Sequence, residues 1–314
     1  MRILVTDGLD PEALAALRRR STVDVIDAAP DQLASLIPNY DALIVRSRTK
    51  VTAAVIERGS RLKVIARAGV GVDNIDLEAA TKRGIPVVTA PAASTTAVAE
   101  LAIGHMLSLA RHLAAADRSV KEGKWEKARF EGTELGGKTL GLIGSGRIGA
   151  EVAKRARAFG MRVIAHDPYL SPDAARERGI ELTDLAAVLR SSDFVSIHAA
   201  LTPETRGMVG PRELGMMRRT AYLVDCARGE IVREDALVEA LRAGTIAGAA
   251  IDVFAKEPPS GSPLLGAPNV VFTPHLGAST REAQANAGAV VVEQVERVLD
   301  GKRPEFVANP DVYA

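Results

Sequence analysis

Short runs of Val, Ile and Leu alternate with longer Ala-rich amphipathic stretches along most of the chain. This alternation is typical of a parallel α/β sheet, in which a helix follows each strand. In the first part of the chain a helix is predicted over residues 11–20, with Pro11 in its first turn. The strands predicted there cover residues 2–5, 23–26, 42–45, 64–66 and 84–88.

A segment of different character follows this first series. Residues 98–116 are apolar on nearly every face of a helix, which predicts one helix that is either buried or packed on a partner chain. Residues 122–137 are polar and loop-like and contain Trp125, the only tryptophan. The segment therefore separates two α/β series.

The second series predicts a nucleotide-binding architecture. Its strands are predicted over residues 139–143, 162–166, 194–198, 221–225, 248–251 and 270–273. Six strands with intervening helices match a doubly wound dinucleotide-binding domain. A last helix over 280–300 precedes a short tail with no sheet of its own, which we expect to return to the first domain. The predicted domains are residues 1–97 with 284–314, and an insertion of residues 98–283.

A glycine fingerprint, Gly144-Ser145-Gly146-Arg147-Ile148-Gly149, lies between a predicted strand and a predicted helix. Gly144 permits a tight turn, Gly146 lets a pyrophosphate approach the backbone, and Gly149 lets the helix pack closely on the strand. The amides at the start of the helix attract the negative charge of that pyrophosphate. The alternative is an ordinary turn between a strand and a helix.

Asp167 ends the next predicted strand, 18 residues after Gly149. A carboxylate near this spacing meets the ribose hydroxyls of the adenosine, and it repels a 2′-phosphate. The sequence therefore favours NAD over NADP. The alternative is that Asp167 caps a helix before Pro168.

Five histidines are candidates for acid–base work. His105 and His112 lie in or at the end of the apolar helix, which favours packing or helix-end roles, and His166 is at most a pocket wall. His198 ends a strand, and both cofactor contact and a structural role stay open. His275 follows a strand end and precedes small residues, a place suited to proton transfer.

Two further side chains are candidates for the same site. Glu257 precedes Pro258, which favours extended geometry, and a contact with His275 would fix the tautomer of the imidazole. Arg228 follows a predicted strand and is able to pair with a substrate carboxylate. Because spacing alone does not bring the three together, a surface or structural role stays open for each.

Composition limits the classes of function. The 314 residues carry a net charge of +1, which argues against a general nucleic-acid binder but permits a local basic pocket. No long uncharged apolar stretch predicts a membrane span, and Asp7 comes too early for a signal peptide. The one cysteine, Cys226, cannot form an intrachain disulfide. We expect a cytoplasmic protein without a metal site.

Several motifs in order over nearly the whole chain resemble the D-isomer-specific 2-hydroxyacid dehydrogenases, and most of all the branch that acts on D-3-phosphoglycerate. Besides the glycine fingerprint, they are DALIVRS (41–47), RAGVGVDN (67–74), GKWE (123–126), CARG (226–229) and PHLGAST (274–280). The resemblance implies a doubly wound parallel-sheet (Rossmann) domain inserted into a smaller flavodoxin-like α/β substrate domain. It also implies a homodimer or higher oligomer, paired through the helix that joins the domains.

The implied activity is the NAD-dependent oxidation of D-3-phosphoglycerate to 3-phosphohydroxypyruvate, the first step of serine biosynthesis. The implied catalytic set is Arg228, Glu257 and His275. Arg46 would meet the phosphate, and the amides of Val70 and Gly71 would join Arg228 at the carboxylate. Beyond the glycines, the implied cofactor contacts are Arg147, Ile148, Asp167, His198, Thr202, Cys226, Ala227 and Asp252.

Some positions depart from the family pattern. Ser94 replaces an amide expected near the substrate, and Asp225 stands where Asn is usual. Glu230 and Arg233 replace a Gly and an Asp after the arginine motif. Arg48 adds a cation that either favours an anionic substrate or is a solvated surface charge.

Two alternatives to the phosphoglycerate activity remain. One is a broader hydroxypyruvate or glyoxylate reductase, and the other is an NAD-binding transcriptional corepressor. The presence of all three catalytic residues favours an enzyme. The carboxyl-terminal regulatory domains of longer relatives have no counterpart in the sequence, so we expect no serine feedback through such a domain.

Overall fold

The computed structural model describes residues 1–314, apart from the side chains of residues 30 and 31. Its strands are β1 (Arg2–Val5), β2 (Thr22–Val25), β3 (Ala42–Val45), β4 (Val64–Arg67), β5 (Val87–Thr89), β6 (Thr139–Ile143), β7 (Arg162–His166), β8 (Glu181–Leu182), β9 (Phe194–Ile197), β10 (Tyr222–Asp225), β11 (Gly248–Ile251) and β12 (Val270–Phe272). Its helices are α1 (Pro11–Arg18), α2 (Pro30–Leu36), α3 (Ala53–Arg58), α4 (Leu77–Lys82), α5 (Thr95–Ala110), α6 (Leu113–Lys121), α7 (Arg147–Ala158), α8 (Pro172–Glu177), α9 (Leu185–Ser191), α10 (Pro211–Met216), α11 (Glu234–Arg242) and α12 (Arg281–Leu299). The chain forms two compact units: unit 1 is Met1–Ser94 with Ala278–Ala314, and unit 2 is Thr95–Gly277.

Unit 1 is built on a five-stranded parallel sheet in the order β2-β1-β3-β4-β5. This is the flavodoxin-like order expected from the sequence, and the order reverses between β1 and β3. All four residues of β3 are buried, because helices cover both faces of a parallel sheet. β5 begins later than predicted, because Gly84 at φ +66° first closes α4.

The carboxyl-terminal tail adds to the free edge of this sheet. Val307 forms an antiparallel bridge with Val88, and the Val87 amide donates to the Asn309 side chain at 2.7 Å. The long α12 before the tail is capped by Thr280, whose hydroxyl accepts from the Ala283 amide. The tail therefore returns to the first sheet, as its sequence predicts.

Unit 2 contains a seven-stranded parallel sheet in the order β12-β11-β10-β9-β6-β7-β8. Counted from β6, this is the doubly wound order with one strand more, and it reverses between β6 and β9. The prediction of six strands was wrong because it missed β8, whose two residues, Glu181 and Leu182, are too short for an apolar run. Ligands of such sheets bind outside the carboxyl ends of the strands at the point of reversal.

The single helix predicted over 98–116 was also wrong, because the structure has two helices, α5 and α6. His112 lies between them with φ +54°, in the left-handed region that few residues other than glycine adopt. Apolar residues continue across the break, so periodicity gives no sign of it. Nine of the 16 residues of α5 are buried, whereas α6 leaves Leu113 and Val120 53% and 56% exposed. Among the helices described, none is long and apolar enough to cross a bilayer.

Candidate active site

The glycine fingerprint forms the turn between β6 and α7. Gly144 has φ +85°, and a Cβ there would lie 2.7 Å from the Ala199 nitrogen. A Cβ on Gly149 would lie 2.6 Å from the carbonyl oxygen of Gly144, so packing requires both glycines. Gly146 has no neighbour within 4 Å of such a Cβ, and it caps α7 without a side-chain bond. The backbone at the start of α7 is therefore open to an anion.

Asp167 fastens the end of β7 to this turn. Its Oδ2 accepts from the Ser145 amide at 2.7 Å, and its Oδ1 accepts from the Tyr169 amide at 2.9 Å. Ser171, not Asp167, caps the helix that follows, so the helix-cap alternative was wrong. The carboxylate therefore lies beside the glycine turn at the carboxyl edge of the sheet.

Two polar atoms near the turn are buried and have no hydrogen-bond partner within the described part of the chain: the Ser145 hydroxyl oxygen and His198 Nδ1. The other ring nitrogen of His198 lies 2.8 Å from the Ser196 hydroxyl, and burial lowers the pKa of His198 to about 4. Thr202 follows in the loop after β9, where its amide donates to Thr205. Open glycine backbone and unpartnered buried polar atoms suit a dinucleotide, with Arg147 and Ile148 opening α7 beside them.

The end of β10 presents Asp225, Cys226, Ala227 and Arg228 in succession. Asp225 Oδ1 accepts from the Ala227 amide at 2.9 Å, and Arg228 Nη1 donates to the Ala227 carbonyl at 2.7 Å. Burial raises the pKa of Asp225 to about 7, although the Ala227 hydrogen bond and the Arg228 charge oppose the rise. Burial, with the nearby acids, also raises the pKa of Cys226, which therefore stays a thiol.

The loop that carries Arg228 packs directly on the segment that carries Glu257. A Cβ on Gly229 would lie 2.0 Å from the carbonyl carbon of Phe254, so only glycine permits this approach. Glu234 at the start of α11 holds the second segment, because its carboxylate accepts from the Ala255 amide at 2.9 Å. Sequence reasoning did not single out either contact.

His275 and Glu257 form a hydrogen-bonded pair, with 2.8 Å between His275 Nδ1 and Glu257 Oε2. The other carboxylate oxygen of Glu257 accepts from the Phe254 amide at 3.1 Å. Burial raises the pKa of Glu257, but hydrogen bonds from His275 and Phe254 and the charges of His275 and Arg228 hold it below its usual value. Because a carboxylate only accepts, Nδ1 donates to Glu257, and Nε2 is left to exchange a proton.

Asp252 holds the turn on which His275 stands. The Asp252 carboxylate accepts from the Leu276 amide at 2.7 Å and from the Gly277 amide at 2.9 Å. Its carbonyl accepts from the His275 amide at 2.8 Å. These bonds fix His275 at φ +53°, a conformation that costs free energy in a residue with a side chain.

The predicted substrate residues Arg46, Val70 and Gly71 lie in unit 1. The Arg46 and Thr49 amides both donate to Asp7 Oδ2 at 3.0 Å, which fixes the loop after β3. β1 and β3 are the strands between which the order of this sheet reverses, so Arg46 lies at its expected ligand edge. Within the described residues, the Val70 and Gly71 amides after β4 make no hydrogen bond.

The two arginines of this loop differ in their partners. Arg48 lies 3.6 Å from Asp7 and 3.3 Å from Asp27, so its charge is already matched by carboxylates. The Arg46 guanidinium makes no ion pair or hydrogen bond with any described residue. Of these two arginines, Arg46 is therefore the one whose charge is available to an anionic ligand.

No cluster of three or more His, Cys, Asp or Glu side chains suited to a metal ion occurs among the described residues.

Residues 103–277, more than half of the chain, match the family description "D-isomer specific 2-hydroxyacid dehydrogenase, NAD binding domain". The chain belongs to this family. The resemblance inferred from the motifs is confirmed, and unit 2 contains the NAD-binding domain.

Relatives of this family member differ in length. It is 50% identical over 311 residues to a D-3-phosphoglycerate dehydrogenase of Methanocaldococcus jannaschii, a match of 98% of this chain but 59% of that protein. A hydroxypyruvate reductase of Thermotoga maritima is 47% identical, with 95% and 98% of the two chains matched. The crystal structure of the TT0316 protein from Thermus thermophilus superposes with a TM-score of 0.91 at 40% identity, covering 98% and 100%. The chain thus spans about three fifths of the phosphoglycerate relative.

Proposed function

We propose that the protein catalyses NAD-dependent oxidation of D-3-phosphoglycerate to 3-phosphohydroxypyruvate, and the reverse reduction. The His275–Glu257 pair beside the Arg228 loop carries the proposal, because a 2-hydroxy acid needs a base for its hydroxyl and a cation for its carboxylate. The guanidinium of Arg46, which has no partner among the described residues, supports a phosphorylated substrate.

Each group of the proposed catalytic set has a separate task. In oxidation His275 Nε2 removes the hydroxyl proton at C2, and in reduction it returns that proton. Glu257 keeps Nδ1 protonated and stabilises the imidazolium that forms. Arg228 binds the substrate carboxylate and the C2 oxygen, and the Val70 and Gly71 amides add donors to the carboxylate. A bound nicotinamide would supply the hydride acceptor for oxidation at C2 and the hydride donor for reduction.

We propose NAD rather than NADP as the preferred cofactor. Asp167 lies against the fingerprint turn, where its charge would repel a 2′-phosphate. The residues that would hold the cofactor are Gly144, Gly146, Arg147, Ile148, Gly149, Asp167, His198, Thr202, Cys226, Ala227 and Asp252. We also propose a cytoplasmic location and a homodimer.

A second candidate is a hydroxypyruvate or glyoxylate reductase. The Thermotoga maritima relative named hydroxypyruvate reductase matches nearly end to end, which favours it. Under this alternative Arg46 would be incidental to catalysis. A corepressor would bind NAD but turn over no 2-oxo acid.

One assay separates these possibilities: NADH consumption with phosphohydroxypyruvate, hydroxypyruvate and glyoxylate, each measured separately. We expect the highest kcat/KM for the phosphorylated substrate. Arg46→Ala should lower that value by about 30- to 100-fold, the weight of a charged hydrogen bond, and change glyoxylate turnover little. Arg48→Ala is the matched control, because Asp7 and Asp27 already pair with that arginine.

Each contrary outcome has a distinct meaning. If Arg46→Ala lowers kcat/KM equally for all three substrates, the proposed contact between Arg46 and the phosphate is contradicted. No preference for the phosphorylated substrate in the unmodified protein would favour the reductase. No turnover of any 2-oxo acid would favour the corepressor.

A further inference from the structure

A buried polar chain runs from α5 to the turn that carries His275. His105 lies in the middle of α5 and is 2% exposed. Its Nε2 is 3.1 Å from the Thr273 hydroxyl, which in turn lies 2.6 Å from Asp252 Oδ1. His105 is the one polar side chain among the buried residues of α5, and the proposed reaction gives it no task.

The donor and acceptor of each hydrogen bond between His105, Thr273 and Asp252 follow from the Asp252 carboxylate, which can only accept. The Asp252 carboxylate accepts from the Leu276 and Gly277 amides, and it accepts from Thr273 as well. The Thr273 hydroxyl has one proton, which it gives to Asp252, so its oxygen must accept from His105. Burial lowers the pKa of His105, although the charge of Asp252 opposes this, and a neutral ring with its proton on Nε2 fits both observations.

Asp252, where this series of hydrogen bonds ends, matters because the backbone of the His275 turn is strained. His275 has a positive φ, and such conformations persist only where the surroundings over-determine them. Asp252 binds the two amides after His275, and its own orientation rests on Thr273. Space around the turn is tight as well: a Cβ on Gly277 would lie 3.2 Å from Val98 of α5.

We propose that His105 is a positioning residue, which orients the Asp252 carboxylate through Thr273 and thereby holds the backbone of His275 in place for proton transfer. The catalytic consequence rests on the proposed function, whereas the structural consequence does not. The hydrogen bond of the His105 ring goes to Thr273, and the His275 ring pairs with Glu257 instead. The effect of His105 must therefore pass through the hydrogen-bonded chain.

Two substitutions at His105 separate a hydrogen-bonding role from a packing role. His105→Leu keeps a bulky side chain among the buried apolar residues of α5 but removes the hydrogen-bond donor. His105→Gln places an amide N–H near the position of Nε2. Met106→Leu is the control for repacking, because Met106 is the fully buried neighbour on the same helix and has an apolar side chain.

Two measurements on the full chain test the proposal. The first is amide hydrogen exchange of the peptide covering residues 270–280, without substrate. We expect His105→Leu to speed exchange at residues 276 and 277 by about three- to tenfold, the effect of one lost hydrogen bond, while His105→Gln and Met106→Leu stay near the unmodified protein. The second is kcat, which we expect to fall in His105→Leu by a similar factor at nearly unchanged substrate KM.

Thr273→Val supplies an independent arm in case His105→Leu does not fold. It should speed exchange at the same two amides, and adding His105→Leu to it should change exchange no further, because the path from His105 to Asp252 is already broken. No change of exchange in Thr273→Val would also overturn the proposal. The proposal is overturned if His105→Leu leaves exchange there unchanged, or if His105→Gln behaves like His105→Leu. A protein that turns over no 2-oxo acid would refute the proposed function, but the exchange result would still decide the role of His105.

Discussion

At the scale of single residues, Asp225 is the carboxyl group of the site whose charged form burial disfavours most. It is 1% exposed at the end of β10, where its Oδ1 accepts from the amide of Ala227. Burial raises its pKa to about 7 from an ordinary value of 3.8. The folded protein therefore binds the Asp225 proton more tightly than the unfolded chain does.

This difference predicts a pH-dependent gain from Asp225→Asn. The unfolded carboxyl loses its proton near pH 4 and the folded one near pH 7, so folding stability contributed by Asp225 is lost as the pH rises from about 4 to about 7 and changes no further above. Asparagine keeps an acceptor for the Ala227 amide and carries no charge. The difference in the free energy of unfolding between the variant and the unmodified protein should therefore grow, in favour of the variant, by about 2–4 kcal/mol as the pH rises from 4 to 8.

Chemical denaturation at pH 4, 5, 6, 7 and 8 measures this gain. Asp117→Asn serves as the control, because Asp117 is an exposed acid on α6, and its free energy of unfolding should change by less than about 0.5 kcal/mol at every pH. A difference between Asp225→Asn and the unmodified protein that does not vary with pH would contradict the raised pKa.

The sequence predicted residues at strand ends better than the contacts between them. His275, Glu257 and Arg228 each follow a strand, and that position, their chemistry and the family motifs together made them candidates. Their hydrogen bonds depend on loop geometry that no local pattern records. The His105–Thr273 contact joins residues 168 positions apart, so the sequence around either residue does not predict it.

At the scale of elements, the Arg228 loop and the Glu257 segment meet through Gly229. Its neighbour is the backbone of Phe254, which cannot turn aside as a side chain does. Gly229→Ala should therefore push the loop away and separate Arg228 from the His275–Glu257 pair. We expect kcat/KM for 2-oxo acids to fall by about 10²-fold, since small displacements of positioned groups cost that much.

Gly215→Ala is the matched control for this prediction. Gly215 lies in α10, and a Cβ there has open space on all sides. Alanine should leave kcat/KM unchanged and slightly stabilise the helix. Equal kinetics in Gly229→Ala and the unmodified protein would show that the two loops do not need this close contact.

Periodicity predicted most strands and helices, but not the break between α5 and α6 or the two-residue strand β8. The apolar runs predicted β1, β3 and β6 with their correct limits, because all residues of β3, and all but the first residue of β1 and β6, are buried. The break at His112 has no glycine or proline to mark it. The two-residue β8 is held by its pairing with β7 rather than by its own apolar pattern.

At the scale of the whole molecule, the question is which surface remains for a second copy of the chain. The resemblance suggested pairing through the helix that joins the domains, but nine of the 16 residues of α5, including most of its large apolar ones, are buried in unit 2. The large apolar side chains left exposed nearby belong to α6 and the loop after it: Leu113, Val120 and Trp125, at 53%, 56% and 86% exposure. Leu113 and Val120 are seven residues apart and therefore share one face of α6.

We therefore expect a homodimer whose contact includes this face. Sedimentation equilibrium should give twice the chain mass of 33.1 kDa, and Val120→Glu should shift the protein towards the monomer, because an unpaired charge is costly in a buried interface. Leu265→Glu is the control, since Leu265 is 52% exposed but lies after β11, away from α6 in sequence. If the unmodified protein sediments as a monomer, or if Leu265→Glu dissociates it as Val120→Glu does, the apolar face of α6 has another role.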